Sequence, residues 1–359
     1  MLDLIAFVAN TLVPFVAILV VLVLVHELGH FTTAKLFGVT VEEFGLGFPP
    51  RLLSIRRKGT RYSLNAVPMG GFVKLAGEED PNVPGSLASK KAGVRMIVLA
   101  AGSFMNALLP LLLFSIAFMV PHNVVSGQVM VEEVASGSPA AEAGMESGDT
   151  IISIDDNPVR NIGDVQRLIQ LKLGEEVDIT IEHDDGATET VQVVPRWRSP
   201  EGQGATGILV SMEDAAVVRE SFPFWKAIPM GVRECIETFT LFKNVIISMI
   251  IGTESVVLAG PVGIAQLTGE VAKAGIGPLL EFAAFFSINL AIINIFPLPA
   301  LDGGRIVFVL LEWIRRGKRV PPKVEGMIHT IGFFLLISAI LLFTYQDIMR
   351  IIAGESLIP

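Results

Sequence analysis

Apolar residues collect in four long, nearly uncharged runs: Leu4–Val25 continuing to Leu36, Met96–Val120, Leu279–Phe296 and Ile328–Ile352. Each approaches or exceeds the roughly 20 residues that a helix needs to cross a bilayer, so the pattern predicts four transmembrane helices. A fifth apolar stretch, Leu241–Gly260, is broken by Lys243, Asn244 and Glu254. Upstream of it Trp225, Ile228, Val232, Ile236, Phe239 and Phe242 recur at helical spacing, with Lys226, Arg233, Glu234 and Glu237 off that face. That arrangement predicts amphipathic helix lying on the membrane surface rather than crossing it.

Between the second and third runs the period changes. Val129–Val134 and Thr150–Ile154 read as strands and Gly163–Leu173 as a helix. Val177–Glu182 and Thr188–Val194 read as a hairpin around Asp184-Asp185-Gly186. The expected organisation is therefore a polytopic α-helical membrane protein carrying an inserted α+β domain. Residues 1–121 hold the first two spans and 122–198 the insert. Residues 199–278 hold a linker and interfacial helices, and 279–359 the last two spans.

Charge orients this arrangement. Nine Lys/Arg lie from Arg51 to Arg95 and six from Arg305 to Lys323. Basic loops stay cytoplasmic, which leaves both termini and the insert outside; a spanning 241–260 segment would move the second basic loop outside. No cleavable signal peptide is expected, because the first apolar run starts with Asp3 rather than a basic region. The net charge of −9 argues against a nucleic-acid partner. Residues 122–195 carry fifteen Asp/Glu against three Lys/Arg, a solvated surface poorly matched to anionic lipid. The single cysteine, Cys235, excludes an intrachain disulfide and a Cys-rich zinc knuckle.

The candidate chemistry sits at the end of the first span, in His26-Glu27-Leu28-Gly29-His30. Residues four apart share a helix face, so both imidazoles can bind one ion, and Glu27 can take a proton from a water there. A satisfied core pair of histidines is the bland alternative. Three ionisable groups in an otherwise apolar span are costly, however, and such groups mark function. A catalytic zinc needs a third protein ligand. His122 and His183 fall on the outer side; His329 opens the last span near the cytoplasmic side, a weaker alternative ligand that reads more readily as an interfacial histidine. Asp302 is better placed, after the third span in Pro297-Leu298-Pro299-Ala300-Leu301-Asp302-Gly303-Gly304. Prolines and glycines preclude regular helix there, and irregular backbone at membrane depth requires burial or a wet cavity. Asn289 and Asn294, in the same apolar span, can hold an unfolded substrate backbone or join helices to each other.

Together HELGH at 26–30, Gly45-Leu46-Gly47-Phe48, Pro68-Met69-Gly70-Gly71-Phe72 and the late Asp-Gly motif resemble the site-2 proteases, intramembrane zinc metalloproteases, in their bacterial RseP-type group. Ser138–Met145 followed by Gly148-Asp149-Thr150-Ile151 resembles the PDZ pattern, and PDZ domains bind extended chain ends as an added strand. The resemblance implies a Zn2+ cofactor on His26, His30 and Asp302, with Glu27 as catalytic base. It implies that Arg51–Val73 is a β-hairpin re-entering the membrane; Leu53-Ser54-Ile55 and Tyr62-Ser63-Leu64 do alternate around a turn at Lys58-Gly59. Substrate-binding positions would be Asn289, Asn294, Gly70 and Gly71. Two departures stand out. The chain shows one PDZ-like segment rather than two, and Gly102-Ser103-Phe104-Met105-Asn106 stands where Gly-Pro-x-x-Asn is expected, leaving the role of Asn106 open.

The resemblance further implies transmembrane protein substrates, such as anti-sigma factors or remnant signal peptides, cut in the bacterial cytoplasmic membrane near its inner side. A peptide or chain end is the expected ligand of the insert, the alternative being a globular spacer that binds none. Two rivals make different demands. A scaffold displaying a PDZ domain would tolerate Glu27→Gln. A zinc transporter would need acidic or His residues along several spans, and spans two and four nearly lack them.

Overall fold

The computed structural model describes residues 8–78, 80–200, 202–253 and 259–354. The chain divides into two compact units, residues 1–117 with 258–359, and residues 118–257.

In the first unit, a single π-helical turn, Val8–Leu12, leads into α1 (Val13–Leu36). The start of the first apolar run, residues 4–7, lies outside the described residues. Two strands follow, β1 (Val41–Arg57) and β2 (Thr60–Leu75), and then α2 (Ala92–Met119). After the second unit come α6 (Pro261–Ala274), α7 (Ile276–Ile295), α8 (Asp302–Ile314) and α9 (Pro322–Ala353). Among the described residues, four helical stretches are long and apolar enough to cross a membrane: Val8–Leu36, α2, α7 and α9. They coincide with the four apolar runs. The basic stretch between the last two is not simply a loop: about half of the segment joining them is α8, which carries Arg305.

β1 and β2 are joined at Lys58-Gly59, as the alternation predicts, with Leu53 opposite Leu64 and Ile55 opposite Tyr62. The ribbon is longer than Arg51–Val73 and doubles back on itself. Glu43, Phe44, Gly45 and Leu46 pair with residues 61–64 on one side and 71–74 on the other. Four strand segments therefore lie side by side, in the order 51–57, 60–65, 41–46, 71–75. Glycines permit the fold-back. Gly47 and Gly70 take positive φ (77° and 96°), a region costly for residues with a Cβ. Polar side chains pin the register: Arg51 donates to both carboxylate oxygens of Glu43 (2.9 and 3.0 Å), and Asn65 Nδ2 donates to the Gly47 carbonyl (3.0 Å). Ala34, Val41, Leu75, Val98 and Val309 form the buried apolar cluster that joins this ribbon to α1, α2 and α8.

The second unit contains β3 (His122–Val134), α3 (Pro139–Glu142), β4 (Thr150–Ile154), β5 (Asn157–Pro158), α4 (Ile162–Leu171), β6 (Val177–Glu182), β7 (Thr188–Val193), β8 (Ile208–Glu220) and α5 (Phe224–Ile251). The sheet runs β7-β6-β4-β3-β8, with β5 beside β4. Val129, Val131, Ile151, Ile154, Ile179 and Ile181 point to one buried face, covered by Val165, Leu168 and Ile169 of α4. Residues 129/131 and 179/181 show the period-2 signature of half-buried strands over a period-3.6 helix stripe, while Ile151 and Ile154, three apart, share the face across a register shift between Ile151 and Ser153. Asn161 caps α4 by accepting the Asp164 N–H at 2.9 Å.

A domain ending at residue 198 is too short for this unit. Residues 208–220, assigned from sequence to the linker, form β8 and pair along nearly the whole of β3, from Val134–Ile208 to His122–Glu220. The pairing is more than 70 residues apart in sequence, so no local signal marks it. Beyond β8, the predicted amphipathic segment is one continuous helix, α5, with Trp225, Ile228 and Ile236 exposed. Another of its faces packs on the insert: Arg167 pairs with Glu234 (2.8 Å) and Glu237 (2.5 Å), and Asn244 Nδ2 donates to the Gln170 carbonyl (2.7 Å). The end of the 241–260 stretch, residues 254–258, lies outside the described residues.

Candidate metal centre

The spacing of His26 and His30 returns both rings to one side of α1, and their Nε2 atoms lie 3.2 Å apart. Asp302, the first residue of α8, completes the group: its Oδ2 is 3.1 Å from each Nε2. Among the described residues these three form the one His/Cys/Asp/Glu group able to hold a metal ion, with all ligand atoms within 4.8 Å of one another. Donors about 2.0–2.1 Å from a tetrahedral zinc are about 3.3 Å from each other. The observed separations are close to that edge, and two imidazoles plus one carboxylate leave a fourth position open. The donor set fits zinc.

Asp302 reaches the histidines because the chain before it is irregular. α7 ends at Ile295, and residues 296–301 turn tightly, with Leu298 N–H donating to the Phe296 carbonyl (2.7 Å) and Leu301 N–H to the Leu298 carbonyl (3.2 Å). Ala300 takes a positive φ of 77°, and its N–H donates to His329 Nδ1 at 3.0 Å. His329 thus anchors the turn and contributes no atom to the cluster. A Cβ on Gly303 would collide with the Ile295 and Phe296 carbonyls, so α8 can start against this turn only with glycine there.

Glu27 extends along α1 toward the ribbon. A Cβ on Gly71 would sit 3.3 Å from the Glu27 Cγ, so the 71–75 edge segment passes directly beside the glutamate. Gly70 faces elsewhere, toward the ring of Phe48. Asn289 and Asn294 are half-buried on α7, and neither side chain makes a hydrogen bond among the described residues. An open apolar groove of about 490 Å3 runs between α1 and the ribbon, lined in part by Leu24, Phe44, Leu53, Tyr62 and Leu64.

Sequence reasoning left out the helix behind the histidines. His30 Nδ1 donates to the Val98 carbonyl at 2.8 Å, Asn106 lies 3.4 Å from His26 Nδ1, and Gly102 lies between, against both rings. Residues 98, 102 and 106 are spaced by one helical turn each on α2. Gly102 and Asn106 were visible as a motif, but a backbone carbonyl at Val98 has no side-chain signature.

A family model for peptidase family M50 matches residues 14–339, and the chain belongs to that family. A candidate zinc metalloprotease of Clostridium acetobutylicum is 35% identical over 334 residues, covering 92% of this chain and 94% of its own length. One of Clostridium perfringens is 36% identical over 334 residues, covering 91% and 95%. The zinc metalloprotease RasP of Geobacillus kaustophilus is 29% identical over 427 residues, covering 95% and 98%.

Proposed function

We propose that His26, His30 and Asp302 hold the zinc of this enzyme and that Glu27 is its general base. The protein is an intramembrane zinc metalloprotease that hydrolyses peptide bonds within or beside transmembrane segments. The observation that carries the residue roles is the convergence of two Nε2 atoms and one carboxylate oxygen, 3.1–3.2 Å apart, from α1 and the start of α8.

When bound, zinc supplies a Lewis acid that polarises the scissile carbonyl and makes a nearby water acidic. Glu27 removes the proton from that water and delivers it to the leaving nitrogen. Asp302 contributes a negative charge that balances the cation, and the His30 Nδ1–H to Val98 bond keeps the His30 Nε2 lone pair free for metal.

A transmembrane substrate must unwind before its backbone can be cut, and its freed N–H and C=O groups then need partners away from water. The ribbon edge at residues 71–75, beside Glu27, offers strand pairing; Gly71 keeps that edge free of side-chain bulk. Asn289 and Asn294 are amide donors and acceptors for the same purpose, Gly70 shapes the bend that presents the edge, and the groove along Leu24 and Leu53 accepts apolar side chains. For this role the ribbon re-enters the membrane. The acidic second unit, with its PDZ-like strand and helix order, binds chain ends at the β8 edge beside α4. The apolar face of α5 rests on the membrane surface. Positive-inside charge puts the metal centre toward the cytoplasmic face of a bacterial inner membrane. Substrates of the anti-sigma or remnant signal peptide kind follow from the same reading.

The test compares wild type with Glu27→Gln and Asp302→Asn, purified in detergent and assayed for zinc content and for cleavage of a model transmembrane peptide. Glu27→Gln keeps zinc and loses cleavage by about 100-fold or more, the range for a general base. Asp302→Asn loses zinc. Full zinc retention by Asp302→Asn would remove it as a ligand, and cleavage by Glu27→Gln at the wild-type rate would remove the base.

A further inference from the structure

The histidine ligands face an asymmetry that α2 resolves. For His30, the ring nitrogen away from the cluster has an acceptor, the Val98 carbonyl at 2.8 Å. For His26, the corresponding Nδ1 faces the side-chain amide of Asn106, which is fully buried. With the amide nitrogen toward His26 at 3.4 Å, the Asn106 Oδ1 has no hydrogen-bond partner among the described residues. In that orientation Nδ1 would have to accept, placing the ring proton on Nε2, where it would point into the metal cluster. An imidazole with a proton on Nε2 cannot bind a metal through Nε2.

The two ends of an amide have the same shape, so a rotation of 180° exchanges them without moving any other atom. Among the described residues no donor holds Oδ1 where it stands. We infer that Asn106 is a positioning residue for the metal centre, presenting Oδ1 to the Nδ1–H of His26 and thereby keeping the His26 Nε2 lone pair on the ion. Asn106 then does for His26 what the Val98 carbonyl does for His30. The two acceptors are eight residues apart, two turns along one face of α2, and Gly102 between them leaves room for both rings. Asn106 is itself fixed from behind, because Ser287 Oγ of α7 donates to its backbone carbonyl at 2.8 Å. The inference rests on His26 being a ligand through Nε2.

The experiment measures the zinc dissociation constant of the full-length protein in detergent by competition with a chromophoric chelator. Asn106→Ala and Asn106→Leu, which offer no acceptor, weaken zinc binding by about 10- to 100-fold, the usual effect of losing such a partner. Asn106→Asp, which keeps an acceptor oxygen in the same place, binds zinc within a few-fold of wild type. A purely structural role would affect Ala and Asp variants alike, and that pattern overturns the inference. So does wild-type affinity in both Asn106→Ala and Asn106→Leu. His26→Ala separates the two levels: if it retains full zinc affinity, the ligand assignment itself fails; if it loses zinc while the Asn106 variants do not, only the positioning role fails.

Discussion

Gly29 on α1 and Gly102 on α2 are reciprocal notches. A Cβ on Gly29 would strike the Ala101 carbonyl, and a Cβ on Gly102 would strike both imidazoles. Small residues let membrane helices approach closely, and here the close approach does a second thing: it brings Val98 and Asn106 within reach of His26 and His30.

Gly102→Ala should therefore damage the site more than the fold. The added methyl meets the His26 and His30 rings, which can relieve it only by leaving their common geometry. Zinc affinity should fall by about tenfold or more, the scale seen when ligand orientation is disturbed, while circular dichroism of the detergent-solubilised protein stays helical. Zinc binding at wild-type strength would show that the rings yield at no cost.

His329 holds the turn that delivers Asp302. Replacing it with leucine removes the acceptor for the Ala300 N–H, which is kept at positive φ two residues before the carboxylate. A buried donor left unsatisfied costs about 1–3 kcal/mol. We expect lower zinc retention on dialysis and a lower melting temperature in His329→Leu, with His329→Asn intermediate because its side-chain oxygen can still accept.

Asp347, 1% exposed in α9, ties α6 in place: its Oδ2 accepts the Gly263 N–H at 2.7 Å and its Oδ1 pairs with Arg350 at 2.8 Å. The first turn of α6 otherwise leaves its N–H groups unpaired. Asp347→Ala should destabilise the protein by about 1–3 kcal/mol for the orphaned donor alone, read as a lower midpoint in a thermal melt. Because Asp347 is remote in sequence and absent from the cluster, zinc affinity of the folded protein should not change.

His183 gives the second unit a pH dependence. Its hydrogen bonds to Asp149 (2.6 Å) and Glu189 (3.4 Å) raise its pKa above the ordinary value of 6.5. A raised folded-state pKa means that the protonated form is favoured in the fold. The stabilisation is fully present below pH 6.5 and is lost as pH rises through the elevated value. Thermal melts of wild type and His183→Gln should differ most at pH 6 and converge toward pH 9. A constant difference across that range would show that the contribution is not the ion pair.

Much of this protein was legible because its signals are local. Membrane helices declare themselves by uninterrupted apolar length, and the four helices long and apolar enough to span fall on the four runs. The 26–30 spacing put two imidazoles on one face of a helix whatever lay around it, and Lys58-Gly59 between alternating strands marked the ribbon's turn. Pairings distant in sequence were not legible. β8 lies on β3 through backbone hydrogen bonds that carry no residue code, so residues 208–220 read as linker. The ribbon's fold-back depends on Gly47 and Gly70 taking positive φ, which glycine allows but does not demand.

Sequence by itself determined the apolar segments, the pair of histidines with their glutamate, and the aspartate that follows a proline-broken stretch, though not that a helix begins at that aspartate and runs through its two glycines. Only the tertiary structure decided that these meet, and which partners stand behind them. The reason is physical: the 3.1–3.2 Å separations among His26, His30 and Asp302 are set by how closely α1, α2 and the 296–302 turn pack. That packing depends on glycines without side chains and on backbone carbonyls common to every residue.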